Sequence, residues 1–252
     1  MAWFTRKTGV QMSRVGFIPW ALFIVAVPLF LITASVTWAF NSPGLYNDGF
    51  EKYSISRITG ITNSDLRQVG ADIRSYINSS DEPMDIQTSI FGAEQDLFNA
   101  KEIAHMKDVK TLVRGVYVLA LGSAAYLLVM ILVGFIRQGR LFTPLLAKRL
   151  ALGGGLTLAM LALFGAVAAF GFDSLFIKFH EISFANDFWQ LDPRTDYLVR
   201  IFPDNFWFDA TVWVAVKAVV GALVITVASS SYLVYRRYSS WQEMMHSLRR
   251  TG

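Results

Sequence analysis

Residues 17–40 contain no charged side chain, and a run of about 24 such residues is long enough to cross the ~30 Å hydrocarbon core of a bilayer. In lipid every backbone polar group must be satisfied within the segment, so the run reads as a spanning helix. It exceeds the ~7–15-residue core of a cleaved signal peptide, and we expect a retained first span that Pro28 kinks. Three more apolar runs follow, at 112–136, 150–172 and 210–235, interrupted only by Arg114 near an end and by Lys217. A composition that is 54% hydrophobic agrees with a membrane protein. The chain has 0 cysteines, which excludes a disulfide framework, a Cys-ligated metal and a thiol nucleophile.

The segments between the spans divide by charge. The leader (1–16), the loop at 137–149 and the tail (236–252) hold eleven Lys/Arg against Glu243 alone. Residues 41–111 carry 7 basic and 11 acidic residues, and 173–209 carry 3 and 7. The positive-inside rule then puts the termini in the cytoplasm and both acidic segments on the opposite face. The basic pI is therefore a topology signature, and nucleic acid has no patch to bind. The expected architecture is an all-α membrane protein: four transmembrane helices with a mainly helical extracytoplasmic cap built from two insertions.

Within the first insertion, Asn63-Ser64 is expected to cap a helix whose apolar face is Leu66, Val69, Ile73, Tyr76 and Ile77, and the stretch from Ser79 to Pro83 ends it. A second helix is expected from Asn99, with Glu102 three positions inside as in a capping box, continuing into the second span. Gly153, Gly154 and Gly155 should permit close helix packing. In the second insertion, Asp192-Pro193 reads as a helix cap with proline at the first position, and Pro203 stops that short helix. The many aromatic residues from Phe176 to Phe208 suit a headgroup boundary.

Two of the three histidines lie where spans emerge. His105 is about seven residues before the second span, roughly 10 Å above it at ~1.5 Å per residue, and His180 is about eight residues after the third. Packing of the two insertions should bring them together. Glu102 and Asp108 sit three residues either side of His105 on its helical face, where a carboxylate holds a tautomer and raises basicity, or simply belongs to a charged surface face. His105, His180 and the acids Glu102, Asp108, Glu181, Asp187, Asp192 and Asp196 also allow a zinc reading, but no H-x-x-x-H or H-E-x-x-H spacing supports it, and we expect no cofactor. His246, in the tail, is assigned no role.

EIAHMKDV before the second span, FH after the third and LDPRTDYLVRIFPDNFW before the fourth together resemble the bacterial lipoprotein intramolecular transacylases, over essentially the whole chain. The resemblance implies an acyltransferase of the cell membrane. It would move the sn-2 acyl chain of a diacylglyceryl lipoprotein to the α-amino group of that lipoprotein's N-terminal cysteine, giving a lyso-form product. Donor ester and acceptor amine belong to one substrate, so no protein nucleophile is needed. The expected partners are membrane lipids and the diacylated lipoprotein.

Such a reaction needs a base for the amine and an acid for the leaving glycerol oxygen, roles that two histidines can share. His105 and His180 are the expected catalytic pair. Trp189, Trp207 and Phe206 are candidate walls that fold the substrate back on itself, although each ring would equally suit an interfacial belt. Asp192, Arg194 and Asp196 are candidates, with Asp108, for orienting the histidines or binding substrate. Lys217 is placed to snorkel or to meet a headgroup. The competing reading is a non-catalytic membrane subunit that docks on a larger complex through its cap and tail. A transporter would need ionisable residues or broken helices near the midplane, and neither is evident.

Overall fold

The computed structural model describes residues 14–251, so the leader at 1–13 lies outside the described residues. Four long helices dominate: α1 (Arg14–Asn41), α5 (Ala100–Gln138), α6 (Thr143–Ser183) and α8 (Asp204–Thr251). The segments Ile18–Asn41, Ala100–Ser183 and Asp204–His246 are apolar and long enough to cross a membrane. The second of these is two helices, α5 and α6, folded back at the 3₁₀ turn Gly139–Phe142. Pro144 opens α6, where a missing N–H costs no hydrogen bond. Each of the four helices runs beyond the apolar segment within it, so the cap is partly an upward continuation of the bundle.

In the bundle α1 packs against α5, α6 and α8, and α6 packs along α8. Gly153 and Gly154 make this close approach possible. A Cβ at Gly153 would strike Val27 of α1, and one at Gly154 would strike Thr226 and the carbonyl of Ala222 on α8. A Cβ at Gly155 would meet nothing within 4 Å, so this third glycine is not a packing residue, contrary to expectation. Pro19 and Pro28 both lie inside α1.

The two insertions share one apolar core. From the first come Phe50, Ile61, Leu66 and Ile73, and from the second Leu198, Ile201, Phe202 and Phe206, all buried. Burying one such side chain stabilises by roughly 1.5–3 kcal/mol, so the insertions hold each other in place. The first insertion contains three helices, α2 (Pro43–Lys52), α3 (Ile55–Thr59) and α4 (Asn63–Asn78). The cap of α4 is Thr62, whose hydroxyl accepts the Asp65 N–H, and Asn63 and Ser64 already lie within the helix.

The first insertion also departs from the mainly helical cap expected: β1 (Gln87–Ile90) pairs antiparallel with β2 (Ala93–Asp96), Gln87 opposite Asp96 and Ile90 opposite Ala93. The hairpin's two turn residues, Phe91 and Gly92, both have positive φ (51° and 84°), which a two-residue turn of matching twist requires. The Phe91 ring rests on Gly60, where a Cβ would collide with it.

The second insertion also differs from expectation. Residues 192–195 form a turn, and the short helix α7 (Tyr197–Ile201) begins only after it, so Asp192-Pro193 is not a helix start. Phe202 and Pro203 end α7 as expected.

Candidate active site

α5 begins with the capping box that Asn99 and Glu102 encode: the Asn99 side chain accepts the Lys101 and Glu102 N–H groups, and Glu102 accepts the Asn99 N–H. This start fixes the phase of the helix, and one turn later His105 faces inward, 6% exposed. His180 arrives from the upper part of α6. That helix leaves helical geometry at Gly171 (φ −179°, ψ 66°) and then resumes, and His180 beyond the break is 8% exposed. The ring centroids of His105 and His180 are 6.0 Å apart with an interplanar angle of 35°.

Aromatic rings enclose the pair. Phe184 lies against both, at 5.1 Å from His105 and 5.6 Å from His180. Phe176, Phe179 and Trp189 surround His180 at 4.4, 5.4 and 5.2 Å. Trp207 stands one ring further out, 6.1 Å from Phe176, and Phe206 packs on Trp207 within the cap core.

These apolar walls disfavour the charged forms. Burial, with the neighbouring His180 second, lowers the His105 pKa to about 4, against a small opposing pull from Asp108. Burial also lowers that of His180, against the Phe176 carbonyl and Asp204. Both imidazoles are therefore neutral at pH 7.

The two rings differ in how their Nδ1 atoms are held. His180 Nδ1 donates to the Phe176 carbonyl oxygen at 2.7 Å, which selects the tautomer with a bare Nε2. His105 Nδ1 is buried with no hydrogen-bond partner. The arrangement can therefore accept a proton and give it back across a water-poor space lined by rings.

The acidic candidates divide by what they touch. The Glu102 carboxylate, 1% exposed, accepts backbone N–H groups of Asn99 at 2.8 Å and Leu198 at 2.6 Å, and so ties α5 to α7. Burial holds its pKa above the usual range. Asp108 accepts from Asn186 Nδ2 at 2.9 Å and acts on His105 through its charge. Asp196, buried, accepts from Asn99 Nδ2, the Thr195 hydroxyl and the Asp192 N–H, and so fastens the 192–196 turn to the start of α5. Asp192 and Arg194 pair with each other at the surface, 2.6 Å apart, with the arginine side chain 85% exposed.

Lys217 lies over the rings of Trp38 at 4.0 Å and Trp213 at 5.0 Å. His246 is exposed. No three His, Asp or Glu side chains among the described residues are grouped so as to hold a metal ion.

Three contributors are not singled out by sequence pattern: the Phe176 carbonyl, Phe184 packed against both histidines, and Asn186 on Asp108. Phe176 stands four residues before His180, a same-face spacing that would have marked it had α6 been expected to continue past 172.

A family model described as lipoprotein intramolecular transacylase Lit matches residues 21–207. The structure of the membrane integral lipoprotein intramolecular transacylase Lit from Bacillus cereus superposes with a TM-score of 0.74 at 15% identity, covering 88% of this chain and 97% of that one. A histidine-to-arginine variant of the same protein gives 0.69 at 15% identity, covering 89% and 94%. At these identities the likeness shows a shared fold. An uncharacterised protein of Aquifex aeolicus (strain VF5) is 26% identical over 129 residues, or 51% of this chain, and the chain spans only 54% of that relative's length.

Proposed function

The chain belongs to the lipoprotein intramolecular transacylase family, enzymes of the membrane, and from that premise we propose that it moves the sn-2 acyl chain of a diacylglyceryl lipoprotein to the α-amino group of the lipoprotein's N-terminal cysteine. The product is an N-acylated lyso-form. The observation that carries this reading is the pair of buried imidazoles with ring centroids 6.0 Å apart inside an aromatic enclosure, the His180 ring held by its Nδ1–H on the Phe176 carbonyl.

The proton accounting suits such a pair. The amine nitrogen bonds to the ester carbonyl carbon as a ring nitrogen takes its proton. The carbon–oxygen bond to the sn-2 position then breaks, and the imidazolium returns the proton to that oxygen. His180 offers Nε2, because its Nδ1–H is committed to Phe176, and His105, whose Nδ1 is buried within the cap, offers Nε2. General acid–base help of this kind contributes roughly 10²–10⁴-fold. The imidazolium is costly in an apolar enclosure, so it exists only while the proton is in transit.

Donor and acceptor are parts of one molecule, so ordering them is the protein's other task. Holding both ends in a reactive arrangement recovers several kcal/mol, on the order of 7–11 at best. Phe176, Phe184 and Trp189 form the walls that would fold a glyceryl thioether back on itself, with Trp207 behind them. Asp108 positions His105 electrostatically, while Glu102 and Asp196 keep the turn and the helix start in register. With the termini cytoplasmic, the histidines face the outer headgroup layer, the level at which diacylated lipoproteins sit.

The test is expression in a host that lacks lipoprotein N-acylation, with mass spectrometry of an abundant lipoprotein's N-terminal lipopeptide. Wild type should give an N-acyl, S-monoacylglyceryl cysteine, and His105→Ala and His180→Ala should leave the diacyl form with a free amine. A wild type that inserts stably and leaves the diacyl form untouched would sink the reading.

A further inference from the structure

A second polar feature lies where the cap meets the bundle, sharing no residue with the histidine site. An open cleft of about 420 Å³ is lined by Asn41, Ala71, Arg74, Ser75, Asn78 and Ser79. Asn41 is the last residue of α1, and its Nδ2 donates to the Tyr117 hydroxyl on α5 at 2.8 Å. Arg114, at the point where α5 enters its apolar run, donates to the Ser79 carbonyl oxygen on the rim at 2.7 Å. The cleft is therefore level with the ends of two spanning helices, where phospholipid headgroups lie.

Its charge is uncompensated. The Arg74 guanidinium lies over the Tyr46 ring at 5.1 Å with its Nη1 buried on the protein side, and among the described residues no hydrogen bond engages the rest of the group, which lines the cleft. Neither Arg74 nor Arg114 has a carboxylate within salt-bridge distance among the described residues, whereas Lys52, Lys110, Lys178 and Arg194 each have one. A guanidinium held against an aromatic face, with no anion of its own and an open cleft in front, is prepared for an external oxyanion.

The asparagine amides do not compete for that role. Asn78 Nδ2 donates to Asn41 and to the Arg74 carbonyl, and Asn41 Nδ2 donates to Tyr117 and to the Thr37 carbonyl. They build the wall, which leaves Arg74 and the exposed hydroxyl of Ser75 to meet a ligand.

We propose that the Arg74 cleft binds a phosphate group, and that the phosphodiester of a bilayer phospholipid is its source. The inference is independent of the transacylase reading. Its consequence is a fixed lipid at the seam between α1, α4 and α5, outside the reaction site.

Delipidated full-length protein in detergent, titrated with dioleoyl-phosphatidylglycerol and followed by native mass spectrometry, tests it. Wild type should take up the lipid at one saturable site, and dioleoylglycerol, which lacks the phosphate, should bind about tenfold more weakly or worse. Arg74→Gln should lose about tenfold or more, and so should Ser75→Glu, which adds a carboxylate at an exposed position without disturbing the core. Displacement by excess inorganic phosphate would identify a soluble anion as the source, and resistance to it the lipid. The proposal falls if dioleoylglycerol binds as well as the phospholipid. It also falls if either variant, shown to be folded by its thermal transition, binds like wild type.

Discussion

The Glu102 carboxylate accepts the backbone N–H of Leu198 at 2.6 Å across 96 residues of sequence, while its other oxygen accepts the Asn99 N–H at 2.8 Å. A single buried side chain thus both starts α5 and anchors the second insertion beside it. Because His105 sits one turn further along the same helix, the position of the imidazole depends on this junction.

Glu102→Ala should therefore destabilise the protein by roughly 2–4 kcal/mol, the combined cost of a lost cap and an orphaned buried N–H. The check is a thermal or denaturant transition in detergent, paired with acylation measured well below the midpoint. Activity that survives there assigns Glu102 to the scaffold, and activity lost from a stable protein assigns it to the chemistry.

The depressed histidines set an acid limit. Between the ordinary imidazole value near 6.5 and the folded value of about 4 for His105, the unfolded chain binds a proton that the folded one refuses. Stability therefore falls as pH drops through that window, by at most about 3 kcal/mol for a shift of this size. Activity falls towards acid in any case as the substrate's own α-amine, ordinarily near roughly 7.7–8.0, takes up a proton, so the imidazole is read directly: the His105 ring in the folded protein should titrate near 4 by NMR chemical shift. A His105 titration centred near 6.5 would contradict the desolvated site.

Asp108→Asn removes the one negative charge credited with raising the His105 pKa. The His105 titration should move to lower pH, and the rate at neutral pH should fall by up to about tenfold, because a weaker base takes the amine proton less readily. A Brønsted-type comparison of rate and His105 titration separates this from simple loss of the Asn186 hydrogen bond, which Asn186→Ala removes with the charge left in place.

Gly154→Leu should lower stability by roughly 1–3 kcal/mol or prevent assembly, since α8 leaves no space for even a Cβ. Gly155→Ala, one residue on, meets open space and should be nearly neutral. Thermal transitions of the two purified variants make the comparison, and similar losses at both positions would refute the packing shown for α6 and α8.

What the sequence made legible was whatever it encodes locally. Asn99 and Glu102 announce their capping box by spacing alone, and the helical repeat of Leu66, Val69, Ile73 and Ile77 names the buried face of α4. The convergence of His105 and His180 was readable because both stand just beyond apolar runs. Thr62 is not distinguished by type, because Asn63 and Ser64 are equally good caps, and only φ and ψ separate them.

The hairpin was invisible because each strand has four residues and its turn carries Phe91 where Asn or Gly would have signalled positive φ. Asp192 and Pro193 suit a turn as well as a helix start, and Asp196, fixed by Asn99 from far away in sequence, decided for the turn. The partners of Glu102, Asp108 and His180 are a distant N–H, a distant amide and a carbonyl, and none is written in side-chain type near the residue it serves.

The interruption of α6 at Gly171 has a mechanical side. His180 lies nine positions further along the helix, at the end of an arm of about 13 Å. A tilt of about 5° at the base of that arm swings the imidazole by about 1 Å, a displacement that can cost on the order of 10²-fold in rate. The reach of His180 toward His105 is thus adjusted from below, by angle, at a residue that contacts neither ring.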